Sequence, residues 1–252
     1  MKTALITGAS SGIGRDIARE LSRRGWRLLL VARRRDRLEQ LSRELGTPCR
    51  IYVCDVSRED NCRWLYEHTR GQDVSFLVNA AGFGLYGRFS DTDLDREMQM
   101  IDVNVKAVHI LTKLFLRDFL AQGSGHILNV ASFAGFMAGP LLSTYYATKN
   151  YVVRLSEAIY EELRREGSPV TISCLCPGPV DTEFNRRAGI RGFSVKALPS
   201  HYVAKIAVRQ ALAGQLLILP GTMTRLGAAA SRFVPEKPLL RIVHHIQSGK
   251  NK

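Results

Sequence analysis

The sequence predicts an α/β fold in a single domain: a doubly wound parallel sheet of seven strands with helices on both faces. Three observations carry that expectation. Apolar runs recur along the chain with helical patterns between them, the alternation that builds such a sheet. Most of these runs are continuous in Val, Ile and Leu, as strands covered on both faces require. The first run ends in a glycine-rich turn that leads straight into a helix.

Taken in order, strands are predicted at Thr3–Thr7, Arg27–Ala32, Arg50–Cys54, Ser75–Asn79, His126–Ala131, Val170–Cys176 and Gln215–Leu219. Crossover helices are predicted over Arg15–Arg24, Arg37–Leu45, Leu94–Leu120 and Thr144–Glu166, whose lengths and polar faces suit packing on a sheet. No repeat, low-complexity tract or Pro/Ser-rich linker divides the 252 residues. A chain of this length buries roughly three-quarters of its unfolded surface, so its core needs neither metal nor disulfide.

Composition narrows the function classes. A hydrophobic fraction of 45% and a charged fraction of 23% are ordinary for globular proteins and exclude disordered and collagen-like chains. The net charge of +13 is uneven: +7 over residues 1–50, −3 over 51–190 and +9 over 191–252. Such an excess suits nucleic acid, an anionic membrane or a phosphorylated cofactor. The basic residues show no recognition helix and no interleaving with aromatics, so no nucleic-acid partner is expected. The opening MKTALITGAS has too short an apolar core for a signal peptide. No apolar run approaches the ~18–20 residues of a membrane span. The five cysteines suit free thiols in a reducing, cytoplasmic compartment. Cys174 and Cys176 have ligand spacing, but they share one face of an apolar strand with no His or further Cys nearby, so no metal site is expected.

The glycine turn reads Thr7-Gly8-Ala9-Ser10-Ser11-Gly12-Ile13-Gly14. Gly8 lets the chain leave the strand sharply, Gly12 allows close approach to a pyrophosphate, and Gly14 lets the helix pack near the sheet. The helix N-terminus then offers oriented N–H groups to phosphates. Gly8, Ser10, Ser11, Gly12, Ile13 and Gly14 are the expected cradle. After the second strand, where an acid would favour NAD, the chain reads Ala32-Arg33-Arg34-Arg35. Arg33 is placed to meet a 2′-phosphate, so NADP(H) is the expected cofactor; a solvated basic turn is the alternative.

Further along, Tyr145 and Lys149 stand four apart in a predicted helix and project from one face. Ser132 follows the fifth strand, and Asn104 lies in the long Leu94–Leu120 pattern. Together with the Gly8-x-x-x-Gly12-x-Gly14 spacing, this set resembles the Asn–Ser–Tyr–Lys tetrad of the short-chain dehydrogenases/reductases, from Thr3 to about Thr182. The resemblance implies a Rossmann fold and hydride transfer between nicotinamide and a carbonyl or secondary alcohol. It also implies that Asp55, with Val56, meets the adenine. Asn79-Ala80-Ala81-Gly82 matches the family's Asn-Asn-Ala-Gly except at Ala80, a departure expected to bear on sheet packing. Pro177, Gly178, Val180 and Thr182 match the segment that meets the nicotinamide amide and the phosphates. Residues 183–200 would form a substrate lid.

A phenol titrates near ~10, so Tyr145 needs help to act as a base; the Lys149 ammonium and an oxidised nicotinamide are expected to lower it. Ser132 would hydrogen-bond the substrate oxygen. By resemblance, Lys149 also holds the nicotinamide ribose, and Asn104 holds a water linking Lys149 to solvent. Tyr146 is three residues from Lys149 and equally compatible with a helix; the family's spacing selects Tyr145.

Phe83, Leu85, Tyr86, Phe133, Phe136, Met137, Leu141 and Leu142 border the expected pocket and favour an apolar ketone, aldehyde or acyl-chain substrate over a sugar. Residues 222–252 form a basic extension in which Leu239, Ile242, Val243 and Ile246 make an amphipathic stripe. A docked helix or subunit contact is one expectation for it, and peripheral membrane contact the other. The resemblance implies a homodimer or homotetramer. The competing function is a non-catalytic NADP(H)-binding sensor or scaffold on the same fold.

Overall fold

A computed structural model describes residues 1–190, 197–231 and 233–249. Its first half runs β1 (Thr3–Thr7), α1 (Gly12–Arg23), β2 (Arg27–Ala32), α2 (Arg35–Glu44), β3 (Cys49–Val53), α3 (Glu59–Thr69) and β4 (Val74–Asn79). Then come α4 (Leu94–Ile101), a π-helical turn (Asp102–Lys106), α5 (Ala107–Gln122), β5 (His126–Val130), a short 3-10 turn (Phe133–Phe136), α6 (Ser143–Arg165) and β6 (Thr171–Leu175). The remainder is β7 (Val180–Asp181), α7 (Glu183–Arg187), β8 (Leu198–Pro199), α8 (Ser200–Leu212), β9 (Leu217–Ile218), α9 (Thr222–Ala230) and α10 (Glu236–Ser248).

Seven strands pair in parallel in the order β3-β2-β1-β4-β5-β6-β9, a Rossmann-type sheet with helices on both faces. Every residue of β1 is buried, because both faces are covered. Ala4, Ile6, Leu28, Leu30, Phe76 and Val78 point to the layer containing α1, α2 and α8. Their neighbours Leu5, Leu29, Val31 and Leu77 point to the opposite layer, against Leu65 of α3 and Phe115 and Phe119 of α5. Each fully buried Leu, Ile, Val or Phe side chain among them is worth roughly 1.5–3 kcal/mol. The five cysteines are unbonded, and burial pushes the Cys54 thiol up to about 11 and Cys62 up to about 12, which keeps both protonated.

Several predicted boundaries shift. The last strand is only two residues long because its pairing with β6 is confined to Cys174–Leu217 and Leu175–Ile218. The single helix expected over Leu94–Leu120 is two helices joined by the π turn, which carries Asn104. The segment expected as a lid contains α7, β8, which pairs with β7 just before it, and the first residue of α8; positions 191–196 of it lie outside the described residues. The basic extension forms α9 and α10, with positions 232 and 250–252 outside the described residues. No described helix is long and apolar enough to cross a membrane.

Strand order reverses between β1 and β4, and the carboxyl ends of the strands open a crevice there. The turns after β1, β2, β4, β5 and β6 all reach it.

Candidate active site

The crevice is a cavity of about 890 Å³. Its floor at one end is the glycine turn. Gly8 and Gly12 adopt left-handed φ angles of +68° and +54°. A Cβ on Gly8 would stand 2.7 Å from the Ala80 carbonyl oxygen, and one on Gly14 would stand 2.6 Å from the Gly8 carbonyl oxygen. Side chains would fill this cradle, so glycine is required for the turn to close against β4. Thr7 Oγ1 accepts hydrogen bonds from the amides of Ala80 and Ala81 at 3.1 and 3.2 Å, tying the two strand ends together. Ser10, Ser11, Gly12, Ile13 and Gly14 line the cavity, as do Asp55, Val56, Ala80, Ala81, Gly82, Pro177, Gly178, Val180 and Thr182. Asn79 does not. It is buried, and its side-chain nitrogen donates to Thr112 Oγ1 at 3.1 Å and Asn129 Oδ1 at 2.9 Å, so it braces the sheet against α5.

Two arginines share the end beyond β2. Among the described residues the Arg33 guanidinium meets only Asp55, at 3.7 Å, and its side chain is 52% exposed. Arg34 donates to Ser10 Oγ at 3.1 Å and pairs with Glu183 at 2.9 Å. Arg37 and Arg187 approach the same carboxylate at 3.7 and 3.5 Å. Chiefly through its hydrogen bond from Arg34, this cluster holds the Glu183 carboxyl below its usual range, although burial opposes that. Glu183 thereby fastens α7 across the mouth of the glycine turn. Sequence reasoning missed Arg34 and Glu183, although each adjoins a residue it singled out.

At the other end Ser132, Tyr145 and Lys149 line one wall. Extended backbone at Ser132 leaves its hydroxyl at the start of the 3-10 turn, where it accepts from the Ala134 amide at 3.1 Å. Tyr145 and Lys149 lie one turn apart on α6, with Nζ 5.8 Å from the phenol ring centre. Phe184 of α7 packs on Tyr145 with ring centres 5.2 Å apart. The expected lowering of the Tyr145 phenol is not produced by these residues. Burial pushes it well above its ordinary value, with Ser132 pulling only part of the way back. The reason is geometric: the Lys149 ammonium donates to the Val130 carbonyl at 2.9 Å. Burial also lowers Lys149, to about 8.

Asn104 is fully buried beneath the wall and does not line the cavity. Its side chain donates to the Phe83 carbonyl at 2.9 Å and Thr148 Oγ1 at 3.1 Å, and it accepts from the Phe83 amide at 3.1 Å. Thr148 donates in turn to the Tyr145 carbonyl at 2.7 Å. The side chain is thus committed to protein partners and clamps the loop after β4 onto α6. Its oxygen still borders Gly82 beside Lys149: a Cβ there would stand 3.0 Å from Asn104 Oδ1 and 3.5 Å from Lys149 Nζ.

Of the apolar residues expected around the pocket, Phe83, Phe133, Met137 and Leu142 line it. Leu85 and Tyr86 pack behind it, Phe136 packs under α6, and Leu141 takes a positive φ of 67° in the turn before α6. The wall is completed by Phe184, Ile190, Val243, Ile246 and Gln247. The last three come from α10, which docks over the chamber with one face. The packed face is Leu239, Val243 and Gln247, while Ile242 and Ile246 of the expected stripe stay about half exposed.

A family model described as short chain dehydrogenase matches residues 2–190. A Staphylococcus epidermidis protein called an uncharacterized oxidoreductase is 36% identical over 185 residues, 72% of this chain and 79% of the relative. Among solved structures, a short-chain dehydrogenase from Sphingobium yanoikuyae in complex with NADPH is 29% identical, with a TM-score of 0.83 over 92% of this chain and 94% of that one. A short-chain dehydrogenase/reductase from Burkholderia phymatum in complex with NAD is 26% identical, with a TM-score of 0.82 over 90% and 92%.

Proposed function

Because the chain belongs to the short-chain dehydrogenase family, we propose that it is an NADP(H)-dependent oxidoreductase acting on an apolar ketone, aldehyde or acyl-chain carbonyl, or on the matching secondary alcohol. The observation that carries this reading is one cavity with the glycine cradle and Arg33 at one end and Ser132, Tyr145 and Lys149 at the other. The cradle that a Cβ would fill fits a pyrophosphate, and Arg33, weakly engaged by Asp55, fits a 2′-phosphate.

When bound, the nicotinamide supplies or receives the hydride. The chain does the rest. Tyr145, kept protonated by burial, gives its proton to the carbonyl oxygen, which suits the reductive direction. Ser132 donates a hydrogen bond to that oxygen as negative charge gathers on it. Lys149 holds the ribose hydroxyls, and Asn104, through Thr148 and Phe83, keeps α6 in place. Phe184, Met137, Leu142, Ile190 and Val243 exclude water around the substrate.

The direct test is NADPH consumption across a broad carbonyl panel, with Tyr145→Phe and Tyr146→Phe alongside. Loss in the first variant supports the assignment, and near-parental turnover in it refutes it. Failure of every carbonyl, with NADPH bound tightly, would favour a sensor or scaffold.

We further assign the enzyme to the cytoplasm, as its unbonded cysteines suit, and to a dimer or tetramer paired through α5 and α6. Light scattering on the purified chain tests the assembly. Contact with an anionic membrane belongs to the same proposal. Met223, Leu226, Phe233, Ile242 and Ile246 are exposed around α9 and α10, beside Arg225, Lys237 and Arg241.

A further inference from the structure

We propose that Tyr146 and Gln247 form a second polar subsite in the substrate chamber, built to hold a hydroxyl group on an otherwise apolar substrate. The inference rests on the reading above, that this chamber receives a carbonyl compound.

Gln247 sits in the last turn of α10 and is 2% exposed. Its side-chain nitrogen donates to the Tyr146 hydroxyl, from 101 residues away in sequence. Its side-chain oxygen is buried and has no hydrogen-bond partner among the described residues. Buried polar atoms are seldom left unmatched, because the lost hydration is not recovered. Here the unmatched acceptor belongs to a residue lining a chamber whose lining around it includes Met137, Leu142, Phe184, Val243 and Ile246, with Arg96 and Gln99 as further polar lining beside Phe83.

Tyr146 completes the pair. Tyr146 also lines the chamber, and the only hydrogen bond of its hydroxyl among the described residues is the one it accepts from Gln247. Its own proton therefore has no acceptor among the described residues. Burial raises the phenol to about 12, so that proton is present at any working pH. The wall thus carries one unmet acceptor, Gln247 Oε1, beside one unmet donor, Tyr146 O–H. A hydroxyl is the small group that both donates and accepts, and it answers both at once. A purely hydrocarbon substrate answers neither.

The pair is also held firmly. A Cβ on Gly139 would stand 2.3 Å from the Tyr146 ring, so the bare backbone there lies flat against it. The Gln247 carbonyl accepts from the Tyr86 hydroxyl at 3.1 Å, fixing the end of α10. The Tyr146 ring centre lies 6.2 Å from that of Tyr145, so the second polar point is close to the reacting carbonyl but separate from it. Tyr146, which entered the sequence argument as a rival for the proton donor, is assigned instead to recognition.

The test compares methyl ketones of increasing chain length with their ω-hydroxylated partners, using the full chain and NADPH. At the best-fitting length the parent should prefer the hydroxylated ketone by about tenfold in kcat/KM, carried by KM. That preference should fall to about one in both Tyr146→Phe and Gln247→Leu. Equal use of the two partners by the parent at every length, or an undiminished preference in both variants, overturns the subsite. Saturation-transfer NMR of each ketone with Tyr145→Phe reads binding without turnover. Tighter binding of the hydroxylated partner supports the subsite even if no ketone is reduced, and equal binding overturns it. Absence of NADPH oxidation with every ketone would instead strike the proposed reaction.

Discussion

The two ends of the cleft are built by different means. The cofactor end is made of backbone: Gly8, Gly12, Gly14 and the strand ends at Ala80–Gly82, all placed by the central strands. The substrate end is made of side chains from segments far apart, Phe83 after β4, Met137 before α6, Ile190 after α7, and Val243 and Gln247 on α10. The family match covers residues 2–190 and stops before the helix that closes the chamber. On the proposed function the first region serves the cofactor and the second the carbonyl substrate, and only the part of the second that α10 supplies lies outside the family match. Changes in the first should alter every reaction of the enzyme in the same proportion. Changes in the second should alter which carbonyl it prefers.

The largest effect expected is at the boundary between the regions. Tyr145→Phe should cut turnover of every reducible carbonyl by about 10²–10⁴-fold, the range of a lost general acid, while NADPH binding measured by fluorescence stays near parental. A loss confined to some carbonyls would break the comparison, because it would place Tyr145 in recognition.

Next comes the far end. Arg33→Asp removes a charge-assisted contact and adds repulsion, so affinity for NADPH should fall roughly 10- to 100-fold while that for NADH changes little. Arg34 is spent on Ser10 and Glu183, so Arg34→Ala should loosen α7 without exchanging the cofactor preference. Equal affinity of the parent for both cofactors would refute the assignment of Arg33.

Lys149 gives a pH signature. Burial lowers it to about 8 in the folded chain, so its charge is present below that pH and lost above it. The kcat/KM for NADPH, which reports groups of the free enzyme, should fall about tenfold per pH unit on the alkaline side. A guanidinium does not titrate there, so Lys149→Arg should flatten that limb even if its overall activity is low. The same depression means that the neutral amine suits the folded interior. On this group's account stability rises with pH from about 8 toward the ordinary lysine value.

The contrast also explains what was legible in the sequence. Continuous apolar strands and a glycine turn are local signals, so the sheet and the cofactor end could be read residue by residue. Asn79 and Asn104 could be located but not interpreted, because their hydrogen bonds run to Thr112, Asn129, Phe83 and Thr148 on other elements. The raised Tyr145 phenol was hidden because the direction of Lys149 toward Val130 is a tertiary fact. On α10, hydrophobic periodicity picked Ile242 and Ile246. It had no means to see that polar Gln247 belongs to the packed face, since its partner Tyr146 lies on α6.

The smallest effect expected is at the membrane, and the structure changes how it must be sought. Removing residues 222–252 would also remove Val243, Ile246 and Gln247 from the chamber wall, so lost flotation could not be separated from a damaged pocket. Phe233 and Ile242 offer a cleaner probe. Both are exposed, at 86% and 51%, and neither lines the chamber. Two modest terms act together here: about 1 kcal/mol for each basic residue near an anionic surface, and the insertion of a few apolar side chains. Such binding should be weak, reversible and sensitive to salt. The full chain should float with vesicles containing phosphatidylserine and much less with neutral ones. Phe233→Ser with Ile242→Ser should reduce flotation a few-fold while leaving the ranking of carbonyls unchanged. A parent that ignores anionic vesicles would remove the membrane from the account of the basic tail. The charge of α9 and α10 would then belong to the surface of a helix whose other face closes the chamber.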